Sequence, residues 1–222
     1  QMPADHIQDK ITISARRLAE IIHRDGGLAS PVYGGIDSLD GIRVHQAFGQ
    51  KLQSPIYTYT GSEISLSGPV SDGQTELFIR GRLDNLSLTE SRLSLYEVKS
   101  FRGKAIYLPK NGEPVHWAQL IIYAYLLKHQ IRAQLRKSLG LPEDDGLLDL
   151  FENCLSMDEI ELILVYAAVD QENYVFKKRT MTWTEIDQFM VQTCNKYISR
   201  MVNLLEWADI RNKAISKSKF PF

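Results

Sequence analysis

Cysteine is scarce in this 222-residue chain, and the two present, Cys154 and Cys194, lie far apart. Two cysteines cannot build a disulfide framework or an all-cysteine iron–sulfur site, so both read as reduced, buried thiols. Long apolar runs are missing too. The longest, "WAQLIIYAYLL", falls short of the roughly 20 residues that cross a bilayer, and no basic-then-apolar leader opens the chain. The expectation is a soluble, intracellular (cytoplasmic) protein with no membrane partner. Neither sign of charge dominates: 26 Lys and Arg face 27 Asp and Glu, for a net charge of −1. A polyanionic partner must therefore be drawn by a local patch and not by the whole surface. There is no Gly-rich phosphate loop, which disfavours a hydrolase of small phosphate esters. There is also no internal repeat and no low-complexity segment.

What is present is an ordinary globular composition, with 44% hydrophobic and 24% charged residues, enough to bury a real core. The spacing of Ile7, Ile11, Leu18, Ile21 and Ile22 predicts a first helix ending at Gly26-Gly27. A second helix, "SLDGIRVHQAFGQKLQS", puts Ile42, His45, Phe48 and Leu52 on one face. From Ile56 the period changes to that of strands, predicted within 56–70, 75–89 and 91–101. "EPVHWAQLIIYAYLLKHQ" reads as a helix with Pro114 in its first turn. An acidic stretch with "LPEDDG" follows as a loop plus a short helix. Two strands come next, "IELILVYAAVD" and "NYVFKKRTMTW", and then a long amphipathic helix capped by Thr182 or Thr184. The order predicts one α/β domain over residues 1–208, with a central mixed sheet flanked by helices, and a tail over 209–222.

The chemistry gathers on the third predicted strand. Residues two apart on a strand project the same way, so Glu97 and Lys99 stand together while Val98 faces the other side. A short hairpin at "LTES" can bring Asp84 beside Glu97. Two carboxylates a few ångströms apart repel unless one is protonated or a cation lies between them, and a hard divalent ion such as magnesium or manganese suits oxygen ligands. Lys99 beside it would hold an attacking water or neutralise a scissile phosphate. On the next helix Gln119 and Tyr123 lie one turn apart, with His116 a turn before, read as either a helix-start or a site residue. Glu63 reads as an exposed edge carboxylate, with a contact to the site from the neighbouring strand as the alternative.

The series "GRLD", "YEVKS" and "HWAQLIIYAYLL", preceded by the helical His45, resembles the PD-(D/E)XK nuclease superfamily, and within it the RecB-like branch that includes the CRISPR adaptation nucleases. The resemblance runs from His45 to Leu127. It implies a restriction-endonuclease-like core and metal-dependent hydrolysis of DNA, on single strands or strand ends. It also implies His45, Asp84, Glu97 and the Val98 carbonyl as ligands of Mg2+ or Mn2+, Lys99 as catalytic, and Gln119 and Tyr123 as support for the site and the DNA. Many members of that branch carry a four-cysteine iron–sulfur cluster. The two cysteines here imply a cluster-free member, its termini held by packing around the helix from Trp183 to Trp207. The alternative is an inactive nucleic-acid-binding module of the same fold.

Arg102, Lys104 and Lys110 after the Glu-x-Lys pair, and "KKR" at 177–179, are candidate phosphate contacts. The last residues, "FPF", resemble the opening of superfamily 2 helicases of the XPD and DinG type. That likeness implies a chain continuing past Phe222 into a covalently linked helicase that would feed the strand being cut.

Overall fold

The computed structural model describes residues 11–23, 37–71, 75–143 and 146–217. Its elements follow the order β1 (Ile11–Ser14), α1 (Ala15–His23), α2 (Ser38–Leu52), β2 (Tyr59–Ser71), β3 (Glu76–Thr89), β4 (Arg92–Phe101), α3 (Pro114–Lys128), α4 (Arg132–Leu139), α5 (Leu147–Ser156), β5 (Glu159–Ala168), β6 (Tyr174–Thr182) and α6 (Trp183–Lys217). The chain is α/β: a six-stranded mixed sheet with helices on both faces. Among the described residues no helix is long and apolar enough to cross a membrane.

Strand alternation assigns each face its core. On β5, Ile160, Leu162, Leu164 and Tyr166 enter the larger cluster, under α1, α3, α5 and α6. Ile163, Val165 and Ala167 enter the smaller one, with Phe48 and Leu52 of α2. β5 is apolar on both faces because both are covered, as expected of a strand running parallel to its neighbour β4. β4 alternates likewise, with Leu93, Leu95 and Phe101 toward α3 and Tyr96 and Val98 toward α2. Glu97 and Lys99 fall in register with Leu93 and Leu95, so their side is the α3 side.

α3 has no polar stripe. Its ten buried residues span Trp117 to Leu127, including Gln119 and Tyr123, because the sheet, α1 and α6 all pack around it. Each large apolar side chain buried there contributes roughly 1.5–3 kcal/mol. The Tyr166 hydroxyl pins its start, accepting the Glu113 amide at 2.9 Å and pairing with His116 Nδ1 at 3.0 Å. His116 thus anchors the helix start.

Four segments differ from the sequence reading. Residues 11–14, expected in the first helix, form a strand parallel to β3. The β-branched alternation Ile-Thr-Ile buries Ile13 and exposes Thr12, and the helix begins only where Ser14 Oγ accepts the Arg17 amide. Ile7 and Gly26-Gly27 lie outside the described residues. Ile42 is 52% exposed, so the apolar face of α2 is made by Phe48 and Leu52 with the partly buried Val44. The acidic stretch holds two helices, α4 and α5, with Gly140 at φ 65 ending the first. In α6, Ile186, Met190, Cys194 and Tyr197 are buried, but Val202, Leu204, Leu205, Trp207 and Ile210 are exposed. Packing therefore holds only its first half. Thr182 is the cap, trading hydrogen bonds with Glu185 in a capping box. The helix runs on through the boundary expected at 208/209, and Phe220 to Phe222 lie outside the described residues.

A candidate metal centre at a fork in the sheet

β3 has three partners. β2 lies along it from Glu76 to Leu88, so β1, against Leu77–Arg80, and β4, against Asn85–Thr89, share its other edge. Between them β3 and β4 part. The last ladder pair is Asn85 with Tyr96, and Asp84 and Glu97 lie just past it. The Val98 amide, which would have joined the ladder, donates to Asp84 Oδ2 at 2.7 Å. The carbonyl of a strand residue points to the same edge as its amide, so the Val98 carbonyl faces the same fork.

A second irregularity coincides with the first. The apolar period inverts at this point: Leu83 and Leu86, three apart, are both fully buried in the same core. On β2 the larger core takes Ile64 and Leu66, while Ser62 reaches Asn85 and Gly49 on the α2 side. Between these halves Glu63, which falls between the register pairs Ser62–Asn85 and Ile64–Leu83, has φ 55. The left-handed region costs an L-residue roughly 1–2 kcal/mol. The kink leaves Asp84 at the boundary of the two faces, within reach of α2 as well as of β4.

α2 brings His45 there because Gly49, one turn later, lets the helix sit close on the sheet; a Cβ at Gly49 would lie 3.1 Å from Ser62 Oγ and 3.2 Å from Asn85 Nδ2. His45 Nδ1 is 3.4 Å from Asp84 Oδ1. Burial lowers the pKa of His45, but the hydrogen bond and charge of Asp84, with the charge of Glu97, outweigh it, and the net shift is upward.

On the α3 side lies a buried relay. Lys99 Nζ donates to Glu97 Oε1 at 2.5 Å and to Gln119 Oε1 at 3.1 Å, and Gln119 Nε2 donates to the Tyr123 hydroxyl at 3.0 Å. Glu97 is 1% exposed, and its Oε2 has no hydrogen-bond partner. Burial first, and then the charge of Asp84, push its carboxyl up to about 7 against the pull of Lys99 and His45. The Tyr123 ring packs on Gly81, where a Cβ would come 2.6 Å from Cε1. The glycine of "GRLD" is thus required by the tyrosine of the helix.

The structure brings Asp84, Glu97, Lys99, Gln119 and Tyr123 together, with His45 beside Asp84. Among the described residues, the metal-donor atoms that converge within 4.8 Å of one another are those of His45, Asp84 and Glu63. Glu63, read from sequence as an edge carboxylate, is indeed half exposed and paired with Arg82 at 2.5 Å, yet it also faces the site. Its left-handed backbone sends it there, and nothing in the local pattern announces that turn. Arg102, a candidate DNA contact, is held by Asp40 at 3.2 Å and Asp170 at 3.5 Å. Lys104 and Lys110 are exposed, flanking the 3-10 turn Ala105–Tyr107 with its exposed Ile106 and Tyr107. Of the "KKR" run, Lys178 lies 4.0 Å from Glu161 and the Arg179 guanidinium 4.1 Å from the Trp117 ring.

The donor set, carboxylates plus one imidazole and a backbone carbonyl with no thiolate, suits a hard divalent cation. The unpartnered Glu97 Oε2 is a buried polar atom that a bound cation would partner. The residues therefore fit Mg2+ or Mn2+.

No family model matches the chain, and no curated protein matches it. A solved structure, that of SSO0001, is similar at 18% identity over 86% of this chain and 78% of its own, with a TM-score of 0.44. A likeness that distant carries no argument about activity.

Proposed function

We propose that this chain is a divalent-metal-dependent nuclease that hydrolyses DNA phosphodiesters on single strands or at strand ends. The observation that supports it best is the joining, at one fork, of Asp84 and a buried Glu97 carrying an unpartnered oxygen with Lys99 held by two acceptors. The resemblance in motif order from His45 to Leu127 supports the same reading.

Asp84, Glu97, the Val98 carbonyl and His45 would hold Mg2+ or Mn2+, which when bound polarises the phosphate and acidifies a water. The protein's own part is placement. Gln119 and Glu97 fix the Lys99 ammonium at 3.1 and 2.5 Å, so its charge meets a developing phosphorane without reorganising. Tyr123 holds Gln119 from within the core, keeping water off that side of the relay. The open side, past His45 and Glu63, is left for the substrate strand.

Purified protein with labelled single- and double-stranded DNA and manganese tests this. Cleavage should fall by on the order of a hundredfold to a thousandfold in Asp84→Ala and in Lys99→Ala. Activity that persists in either variant overturns the assignment. DNA binding with a steep salt slope but no cleavage and no metal binding would favour the inactive binding module instead. Comparing linear with circular single strands separates an exonuclease from an endonuclease.

A further inference from the structure

Exposed apolar side chains gather at one flank of the fork. Ile106 and Tyr107, in the turn that follows β4, are 81% and 68% exposed, and Leu39 and Ile42 near the start of α2 are exposed as well. Ile42 precedes His45 by three residues, so the two are neighbours on the helix surface. The pair between Asp40 and Arg102 at 3.2 Å ties this end of α2 to the start of the loop, and a Cβ at Gly41 would lie 3.8 Å from Ser100 Oγ, one residue past Lys99. The loop and the start of α2 thus border the site together.

The loop is anchored on both sides of its tip. At its entry Arg102 also reaches Asp170 at 3.5 Å. Past the tip Leu108 is buried in the larger core, the Asn111 carbonyl accepts the Trp117 indole N–H at 2.7 Å, and Gly112, at φ 77, leaves no room for a Cβ, which would lie 2.9 Å from both Leu164 and Trp117. Between these anchors the Tyr107 amide donates to the Lys104 carbonyl and the Leu108 amide to that of Ala105, each at 3.1 Å. The turn is closed, yet Ile106 and Tyr107 stand in water. A backbone held this way presents two large apolar side chains to a partner with little ordering left to do.

The surrounding charges select that partner. Lys104 and Lys110 flank the turn, and the exposed Arg43 adjoins Ile42. An aromatic and aliphatic tip interleaved with cations suits a single-stranded nucleic acid, which offers flat bases and phosphates at once, whereas a duplex keeps its bases in the stack. A lipid surface would also take cations beside apolar side chains, but this tip borders a site whose donors suit phosphodiester chemistry. We infer that Ile106 and Tyr107 pack against unpaired bases of a strand held at the metal centre, with Lys104 and Lys110 on its phosphates. The inference rests on the nuclease reading and deepens it: the tip is what makes the site select unpaired strands.

Binding of labelled oligothymidine and of a matched duplex to the full chain, measured in chelator so that hydrolysis does not compete, tests this without turnover. Tyr107→Ala should weaken single-strand binding roughly five- to a hundredfold and leave duplex binding unchanged. Tyr107→Phe should keep the wild-type affinity, since the ring and not the hydroxyl makes the contact. Replacing Lys104 and Lys110 together by alanine should lower the slope of log affinity against log salt by about 1.4. All of these side chains are exposed, so melting temperatures should stay close to wild type. Unchanged single-strand affinity in Tyr107→Ala would overturn the inference, as would equal losses on single strand and duplex. So would a role of Ile106 and Tyr107 in binding phosphatidylserine vesicles with none in binding DNA. In each of those cases manganese-dependent cleavage by the wild type would leave the nuclease reading standing. Single-strand binding that depends on Tyr107, from a wild type that never cleaves, would support the contact and defeat the hydrolysis. Neither binding nor cleavage would defeat both.

Discussion

The two sides of the fork are built differently. Toward α3, Glu97 and Gln119 are buried at 1% and 7% exposure, and the hydrogen bonds from Glu97 to Tyr123 run without a gap. Toward α2 and β2, His45 is 29% and Glu63 46% exposed, and Glu63 is paired with the exposed Arg82. The α3 side sets the position of one ammonium before any substrate arrives. The α2 side remains adjustable, which suits a histidine that would have to give up a proton to take a metal ion.

The sharpest way to break that contrast is a matched pair of glycines. Gly81→Ala drives a Cβ to 2.6 Å from the Tyr123 ring and 3.1 Å from Ala15 Cβ, and overpacking of that kind costs about 1–3 kcal/mol. Gly49→Ala meets Ser62 Oγ and Asn85 Nδ2 at 3.1 and 3.2 Å, and the alanine regains up to about 1 kcal/mol of helix propensity. Thermal or urea unfolding should show a clear loss for Gly81→Ala and a small change of either sign for Gly49→Ala. Equal losses would mean that the two sides are equally tight.

pH gives the next largest effect. Glu97 is raised to about 7, so between the ordinary carboxylate range and that pH the folded chain holds a proton that the unfolded chain has lost, and stability falls as pH rises. His45, also raised, contributes in the same direction: its stabilisation is complete below the unfolded value of 6.5 and is lost as pH climbs through the folded one. In chelator, the melting temperature should therefore be lower at about pH 8 than at about pH 5.5 once the general charge background is subtracted with Glu97→Gln. Manganese, which replaces those protons, should remove the difference. A melting temperature that rises over this window in chelator would refute the buried, protonated Glu97.

The smallest effect belongs outside both sides. Arg102→Ala removes exposed pairs with Asp40 and Asp170, and such pairs contribute about 0–1 kcal/mol. Stability should barely change, and a large loss of DNA affinity would show that the arginine leaves its carboxylates to meet phosphate.

The α3 side is also the side that the sequence makes legible. Two-residue spacing puts Glu97 and Lys99 on one face, four-residue spacing puts Gln119 and Tyr123 on another, and both periods survive folding because a strand and a helix are regular. The α2 side defeats such reading. Glu63 reaches the site through a positive φ, which no residue type around it requires. β1 hides because Ile11 of "ITIS" also fits the helical spacing continued by Leu18. Arg102 meets Asp40 and Asp170 across long stretches of chain, a pairing that only the tertiary fold creates.

The basic run on β6 has a meaning apart from phosphate. Among the described residues β6 pairs with β5 alone and closes one side of the sheet, leaving a row of backbone donors and acceptors that another chain could extend. Lys178 and Arg179 stand exposed on that border, with Lys177 beside them partly covered. A second strand docking there would have to bury three like charges against its own copy, so the run works as a guard against lateral aggregation.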